Sequence, residues 1–281
     1  FVDALTSKSL PLRLSFEENI RFSLPKLSLF SFCCKKTGER LYGVYITPRT
    51  QGPHPTLLWV YGGPQVKLVS NTYMLLAQTR LMLLASLGFC VVVVDGVGSK
   101  NRGLLFERYV QKVMGSSEIA GYESALELLA RRGVVDRERI AVSGSSYGGY
   151  LSLRFLQLNP SLFRVAISRA PVTDWRGYDS AYTERYMGLP QENEKSYERA
   201  SVLTFVRFFP SVTKRLLLVH GLQDENVFFS HTSSLIEELN SNSKPFDLLL
   251  LPKERHGVRS WANYSIQECR SVQYLIGMFG R

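Results

Sequence analysis

Short apolar runs alternate with amphipathic stretches along most of this chain. Residues 27–32 and 40–46 flank Lys36-Thr37-Gly38, which predicts an opening β-hairpin. The runs 56–61 and 89–94 are almost continuously apolar, and 139–143, 164–168, 215–219 and 246–251 resemble them. Such runs suit strands covered on both faces, hence a parallel sheet. Between them, apolar residues recur at helical spacing over 73–87, 119–129, 150–156, 232–239 and 262–278. Arg131-Arg132-Gly133 gives the second of these a basic, glycine-terminated stop. The segments 48–55 and 95–115 read as loops, and 171–210 as aromatic-rich excursions over the top of the sheet. Strands alternating with helices after a hairpin predict a doubly wound, mostly parallel, eight-stranded α/β sheet with helices on both faces. One domain is predicted over 31–281. Residues 1 to about 26 show no clean period and read as an edge segment or the tail of a preceding domain, and an N-terminal segment is set apart over 1–30.

Composition changes this picture little. The chain has 281 residues, 45% hydrophobic and 21% charged, enough for a sizeable core. Its net charge of +10 is scattered in pairs such as Lys35-Lys36 and Arg131-Arg132, far from a nucleic-acid-binding stripe, so nucleic acid is not an expected partner. Cys33, Cys34, Cys90 and Cys269 form no CxxC and no metal-like spacing, which points to a reducing compartment without a bound metal. The longest apolar stretch, 81–94, is too short to span a bilayer, so no membrane association is expected. The chain opens on Phe1 without a recognisable signal peptide and reads as a piece of something longer.

The chemistry enters at Gly144-Ser145-Ser146-Tyr147-Gly148-Gly149, between a predicted strand and a predicted helix. A Gly-x-Ser-x-Gly in that context is a nucleophile elbow, a turn so sharp that the serine is strained and its hydroxyl exposed. A serine hydroxyl needs a base and an acid that orients the base. In this fold class, the α/β hydrolases, the order is Ser, then Asp or Glu, then His. His54 precedes the serine and fails that order. His220 ends a strand and reads as a packed residue. His231 begins a helix and reads as a surface residue. His256, in the loop after the last strand, stands where the base belongs. Asp224 and Glu225 follow the preceding strand. Asp224 is preferred because a short carboxylate at a tight turn can face the imidazole, although it could instead form an Asx-turn. The oxyanion hole requires preorganised donors. One is the backbone N–H of Tyr147, and a second is expected from Tyr61-Gly62-Gly63, where Tyr61 could otherwise cap the sheet edge.

With these residues in place, the chain resembles the prolyl oligopeptidase family in its dipeptidyl peptidase branch. Tyr178-Asp179-Ser180-Ala181-Tyr182-Thr183-Glu184-Arg185-Tyr186-Met187 carries most of the likeness. Ala170-Pro171-Val172-Thr173, Tyr61-Gly62-Gly63-Pro64 and Pro252-Lys253-Glu254-Arg255-His256 agree with it. The resemblance implies Ser146, Asp224 and His256 as the triad and the Tyr61 hydroxyl as an oxyanion donor beside the Tyr147 N–H. It also implies a proline-sized pocket of Tyr178, Tyr182, Trp175, Val172 and Tyr147. Asn226 would donate to a substrate carbonyl, and Arg185 would organise the pocket. The implied activity is removal of dipeptides with penultimate proline or alanine from peptide substrates, without metal or cofactor, by a cytoplasmic homodimer. An acylaminoacyl peptidase, an esterase, or an inert interaction domain are the alternatives.

Three departures stand out. Ser145 replaces the family's tryptophan, Val97 an arginine and Phe228 a histidine. Weakened packing or an altered rate is expected from these before loss of chemistry. The family's N-terminal β-propeller, whose paired glutamates hold the substrate's α-amino group, is not recognisable, and residues 1–30 are expected to be its remnant.

Overall fold

A computed structural model of the chain describes residues 25–72 and 79–280. The hairpin forms from β1 (Lys26–Cys33) and β2 (Arg40–Thr47), paired antiparallel from Lys26↔Thr47 to Cys33↔Arg40. The boundary expected at residue 30 therefore falls inside a strand. Leu27 and Leu29 belong to the same alternating strand as Phe30 and Phe32 but are less buried, so the strand begins before the boundary. Residues 1–24, with the propeller-remnant expectation, lie outside the described residues.

Six further strands follow: β3 (His54–Val60), β4 (Cys90–Asp95), β5 (Val135–Ser145), β6 (Phe163–Arg169), β7 (Leu216–Gly221) and β8 (Asp247–Leu251). They complete an eight-stranded sheet of order β1-β2-β4-β3-β5-β6-β7-β8. β2 meets β4 antiparallel, and every pairing from β4 to β8 is parallel. The sheet is the mostly parallel one expected.

Strand alternation feeds two cores. Leu58, Val60, Val92, Val94, Val142 and Leu218 face one layer with α3 (Ser117–Arg131) and α4 (Tyr147–Leu158). Leu57, Val91, Val93, Ala141 and Leu217 face the other, with α1 (Thr79–Ser86) and α8 (Trp261–Phe279). A strand buried on both faces favours apolar residues at successive positions, and this is why 90–94 reads CVVVV without alternation before the buried Asp95. The part of the predicted 73–87 helix over 73–78 lies outside the described residues.

Two predicted loops hold more structure than their sequence announces. His54, buried, already belongs to β3. The glycine-punctuated stretch after β4 contains α2 (Leu104–Glu107) and a 3-10 turn at Arg108–Val110, both too short to show a period. The excursion between β6 and β7 does consist of short helices: a 3-10 turn at Trp175–Gly177, α5 (Ser180–Met187), α6 (Glu194–Ala200) and a 3-10 segment at Leu203–Phe208. Asp179 caps α5 by accepting from the Tyr182 N–H at 2.8 Å. α7 (Ser230–Ser241) links β7 to β8.

Candidate active site

The parallel strands β3, β5, β7 and β8 deliver Tyr61, Ser146, Asp224 and His256 from their carboxyl ends, where α/β sheets place their sites. Ser146 sits at φ 60°, ψ −120°, between the end of β5 and the first residue of α4. Its backbone N–H donates to the Arg169 carbonyl at 2.9 Å, and its carbonyl accepts from the Tyr150 N–H at 2.9 Å, so the strained residue is held from both sides. A Cβ at Gly144 or at Gly148 would collide with the Val60 carbonyl. The elbow's glycines are there because β3 passes directly beneath the turn.

Asp224 has one oxygen for each of its two predicted roles. Oδ1 accepts from the N–H groups of Asn226 and Val227, both at 2.9 Å, which is the turn-stabilising pattern. Oδ2 lies 2.8 Å from His256 Nδ1 and 3.3 Å from His220 Nε2. Burial works against its charge, yet the bonds from His220, His256 and the Asn226 N–H more than offset it and hold the carboxyl well below the ordinary range. An ionised carboxylate only accepts, so His256 carries its proton on Nδ1 and presents Nε2 as an acceptor. Among the described residues Nε2 makes no hydrogen bond, and neither does the Ser146 hydroxyl; such pairs often tighten only when substrate arrives. Glu225 faces outward as expected, paired with Arg255 at 3.1 Å. Gly221 is required because a Cβ there would strike the Glu254 carbonyl and come within 2.8 Å of the Arg255 carbonyl, pushing apart the loops that carry Asp224 and His256.

His220 is packed as predicted. Its Nε2–H donates to the Val227 carbonyl at 2.9 Å, and its Nδ1 accepts from the Thr232 hydroxyl at 2.7 Å. His231 is not the surface residue expected. It is buried, its Nδ1 accepts from the Thr173 N–H at 3.2 Å, and its Nε2–H donates to the Gly177 carbonyl at 3.2 Å. Desolvation lowers its pKa, which favours this neutral, doubly bonded form. The partners come from the excursion after β6, so nothing in the local sequence shows the burial.

The aromatic residues of that excursion meet the elbow. Trp175 lies 5.3 Å from Tyr147, 5.8 Å from Tyr178 and 6.1 Å from Tyr182, ring centre to ring centre. Val172 is buried in the same core layer. The Tyr178 hydroxyl donates to Asn226 Oδ1 at 2.8 Å, leaving Asn226 Nδ2 to donate elsewhere. Tyr61 lies 6.3 Å from Tyr147, and burial pushes its phenol up, so it remains an O–H donor at neutral pH. Arg185 does not join the cluster. It is solvated, 3.6 Å from Glu107, and meets the aromatics only through Tyr186.

Sequence reasoning missed Glu118. It is buried in the first turn of α3, where a glutamate ordinarily reads as a solvated partner of the helix dipole. Its Oε1 accepts from the Tyr147 hydroxyl at 2.5 Å and the Gly115 N–H at 3.0 Å, and its Oε2 from the Ser116 N–H at 3.2 Å. Glu118→Gln places an amide donor against one of those donors. An unsatisfied buried group costs about 1–3 kcal/mol, so urea unfolding is expected to show a loss of that size. The same variant, by loosening Tyr147, should slow acylation of Ser146 severalfold.

Fold and site together define an α/β hydrolase. The chain matches the Prolyl oligopeptidase family over residues 76–280 and belongs to it. It is 46% identical over 251 residues to Dipeptidyl peptidase 8 of Homo sapiens, and equally to that of Mus musculus, covering 88% of this chain and 28% of each relative. It also superposes with TM-score 0.87 on a Bacteroides ovatus crystal structure assigned as a dipeptidyl aminopeptidase IV, at 26% identity, covering 92% of this chain and 37% of that one. The chain thus spans just over a quarter of the length of these curated relatives. Among the described residues, no helix is long and apolar enough to cross a membrane.

Proposed function

We propose that this chain is the catalytic part of a serine dipeptidyl peptidase that cleaves after a penultimate proline or alanine. The observation that carries this reading is the Asp224–His256 pair, closed at 2.8 Å, on loops beside the strained Ser146. The Ser146 hydroxyl attacks the carbonyl carbon of the residue held against Trp175, Tyr178 and Tyr182, and its proton passes to His256 Nε2. Asp224 stabilises the imidazolium, while Tyr61 and the Tyr147 N–H hold the oxyanion. The intermediate collapses: the C–N bond breaks, His256 protonates the leaving amine, and an acyl ester remains on Ser146. Water, deprotonated by His256, then releases the dipeptide and regenerates the serine. A compact aromatic wall accepts a proline ring or a methyl group and rejects longer side chains. Asn226 Nδ2 donates to the substrate carbonyl. The count of two residues from the N-terminus belongs, by resemblance, to paired glutamates on a propeller. Cytoplasmic location and a homodimer are part of the same reading and rest on that likeness.

The chain is tested with a fluorophosphonate probe and with Gly-Pro-p-nitroanilide beside a simple p-nitrophenyl ester. Labelling of Ser146 with turnover of the Gly-Pro amide is expected. Ester hydrolysis with none of the Gly-Pro amide would instead assign an esterase or acylaminoacyl peptidase. Folded protein that fails to label would assign an interaction domain.

A further inference from the structure

Beside His256, on the face of the sheet covered by α8, lies a cavity of about 170 Å³, far above the roughly 10–15 Å³ that one water needs. Arg80, Ser145, Arg169, His256, Tyr264 and Gln267 line it. Ser145, with its small side chain, leaves this space open beside the elbow.

Among the described residues, the charges around this space do not balance. Arg169, 5% exposed, donates from Nη1 to Ser143 Oγ at 2.8 Å and from Nη2 to Ser271 Oγ at 2.9 Å. Its Nε is buried and has no partner among the described residues. Arg80 donates from Nη2 to the Tyr264 hydroxyl at 2.7 Å, and its Nε lies 3.0 Å from Glu268 without hydrogen-bond alignment. Glu268 is also 3.9 Å from Arg169, so one carboxylate serves two guanidinium groups. At the rim, Arg255 is already matched by Glu225. Burial lowers the Arg169 pKa to about 10, against the attraction of Glu268. A charge in such a place is costly unless it is paired.

We propose that this cavity is a subsite for a small carboxylate, acetate in size and charge, held by Arg169 and Arg80 next to the catalytic histidine. A carboxylate matches the planar fork of a guanidinium and brings the missing negative charge. It has two sources: a free small anion, or an acidic group of the peptide leaving from the His256 side. Only the second source rests on the peptidase reading.

Trp59 reports on the site, because its ring centre lies 4.7 Å from the Arg80 guanidinium and 5.4 Å from that of Arg169. The test titrates sodium acetate against the chain's tryptophan emission, with sodium chloride at equal ionic strength as reference. A saturable response is expected, weakened at least tenfold by Ser145→Phe, which fills the cavity, and by Arg169→Gln. Should Arg169→Gln fail to fold, Arg80→Met takes its place. No saturable response, or one that all these variants retain, overturns the proposal. The source is read from Gly-Pro-Asp and Gly-Pro-Asn peptides. Faster cleavage of the aspartate peptide, lost in Arg169→Gln, assigns the leaving peptide; equal cleavage with acetate bound assigns the free anion. Absence of all cleavage refutes the peptidase reading, while the acetate titration still decides the site.

Discussion

Replacing Ser146 with glycine is expected to abolish fluorophosphonate labelling and, at the same time, to make the protein more stable. The activity arm follows from the loss of the hydroxyl proposed as the nucleophile. Removing the nucleophile of such a triad lowers turnover by about 10⁶. The stability arm follows from φ 60°, ψ −120°, a conformation that glycine adopts freely and a side chain does not. Strain of this kind is worth on the order of 1–3 kcal/mol, while the extra freedom of glycine in the unfolded chain returns roughly 0.5–1 kcal/mol. The Ser146 side chain makes no capping bond to α4, so its removal forfeits no cap. A net gain of about 1 kcal/mol remains, or roughly 2 °C in Tm for a domain of this size. Thermal unfolding of wild type, Ser146→Gly and Ser146→Ala measures it, with alanine keeping the strain. Unchanged or lower stability in the glycine variant would show that the elbow stores no strain.

What was legible in the sequence was whatever local chemistry forces. The proposed triad residues follow strand ends, where a buried apolar run stops and a polar loop begins, and chain order is what singles out His256 over His54 in that reading; the structure brings His256 within 2.8 Å of Asp224. β4 was readable because burial on both faces admits no polar residue between Cys90 and Asp95. Features made by tertiary packing were not readable. His231 looks like a helix-start surface residue until Thr173 and Gly177 close over it. Glu118 carries no sign of the Tyr147 hydroxyl it will meet, 29 residues away. Ser145 was visible as an odd residue at the elbow. The consequence drawn from it, weakened packing, omits Arg169, which arrives from β6 and lines the opened space. The likeness that placed Arg185 at the pocket did not anticipate its engagement with Glu107.

Asp224→Asn is expected to lower the rate of Ser146 acylation by about 10⁴ while leaving the fold in place. The direction comes from hydrogen-bond bookkeeping at two atoms. Oδ1 accepts two backbone N–H groups, so the amide oxygen of asparagine must stay there and its NH₂ must take the Oδ2 position. That NH₂ then donates to His256 Nδ1, where the carboxylate had accepted. The imidazole is driven into the other tautomer, with its proton on Nε2, and in the proposed mechanism it can no longer take the serine's proton. No charge remains to stabilise an imidazolium. A stability signature accompanies the loss. The folded-state pKa of Asp224 lies below its unfolded value of about 3.9, so its stabilising contribution is full above that pH and fades as pH falls toward the folded pKa. Asparagine has no such dependence. Urea unfolding should therefore separate the two proteins most above about pH 4 and bring them together below it. A gap that instead widened on acidification would mean that Asp224 is not held ionised by its two histidines, and the assignment of His256 as the base would fall with it.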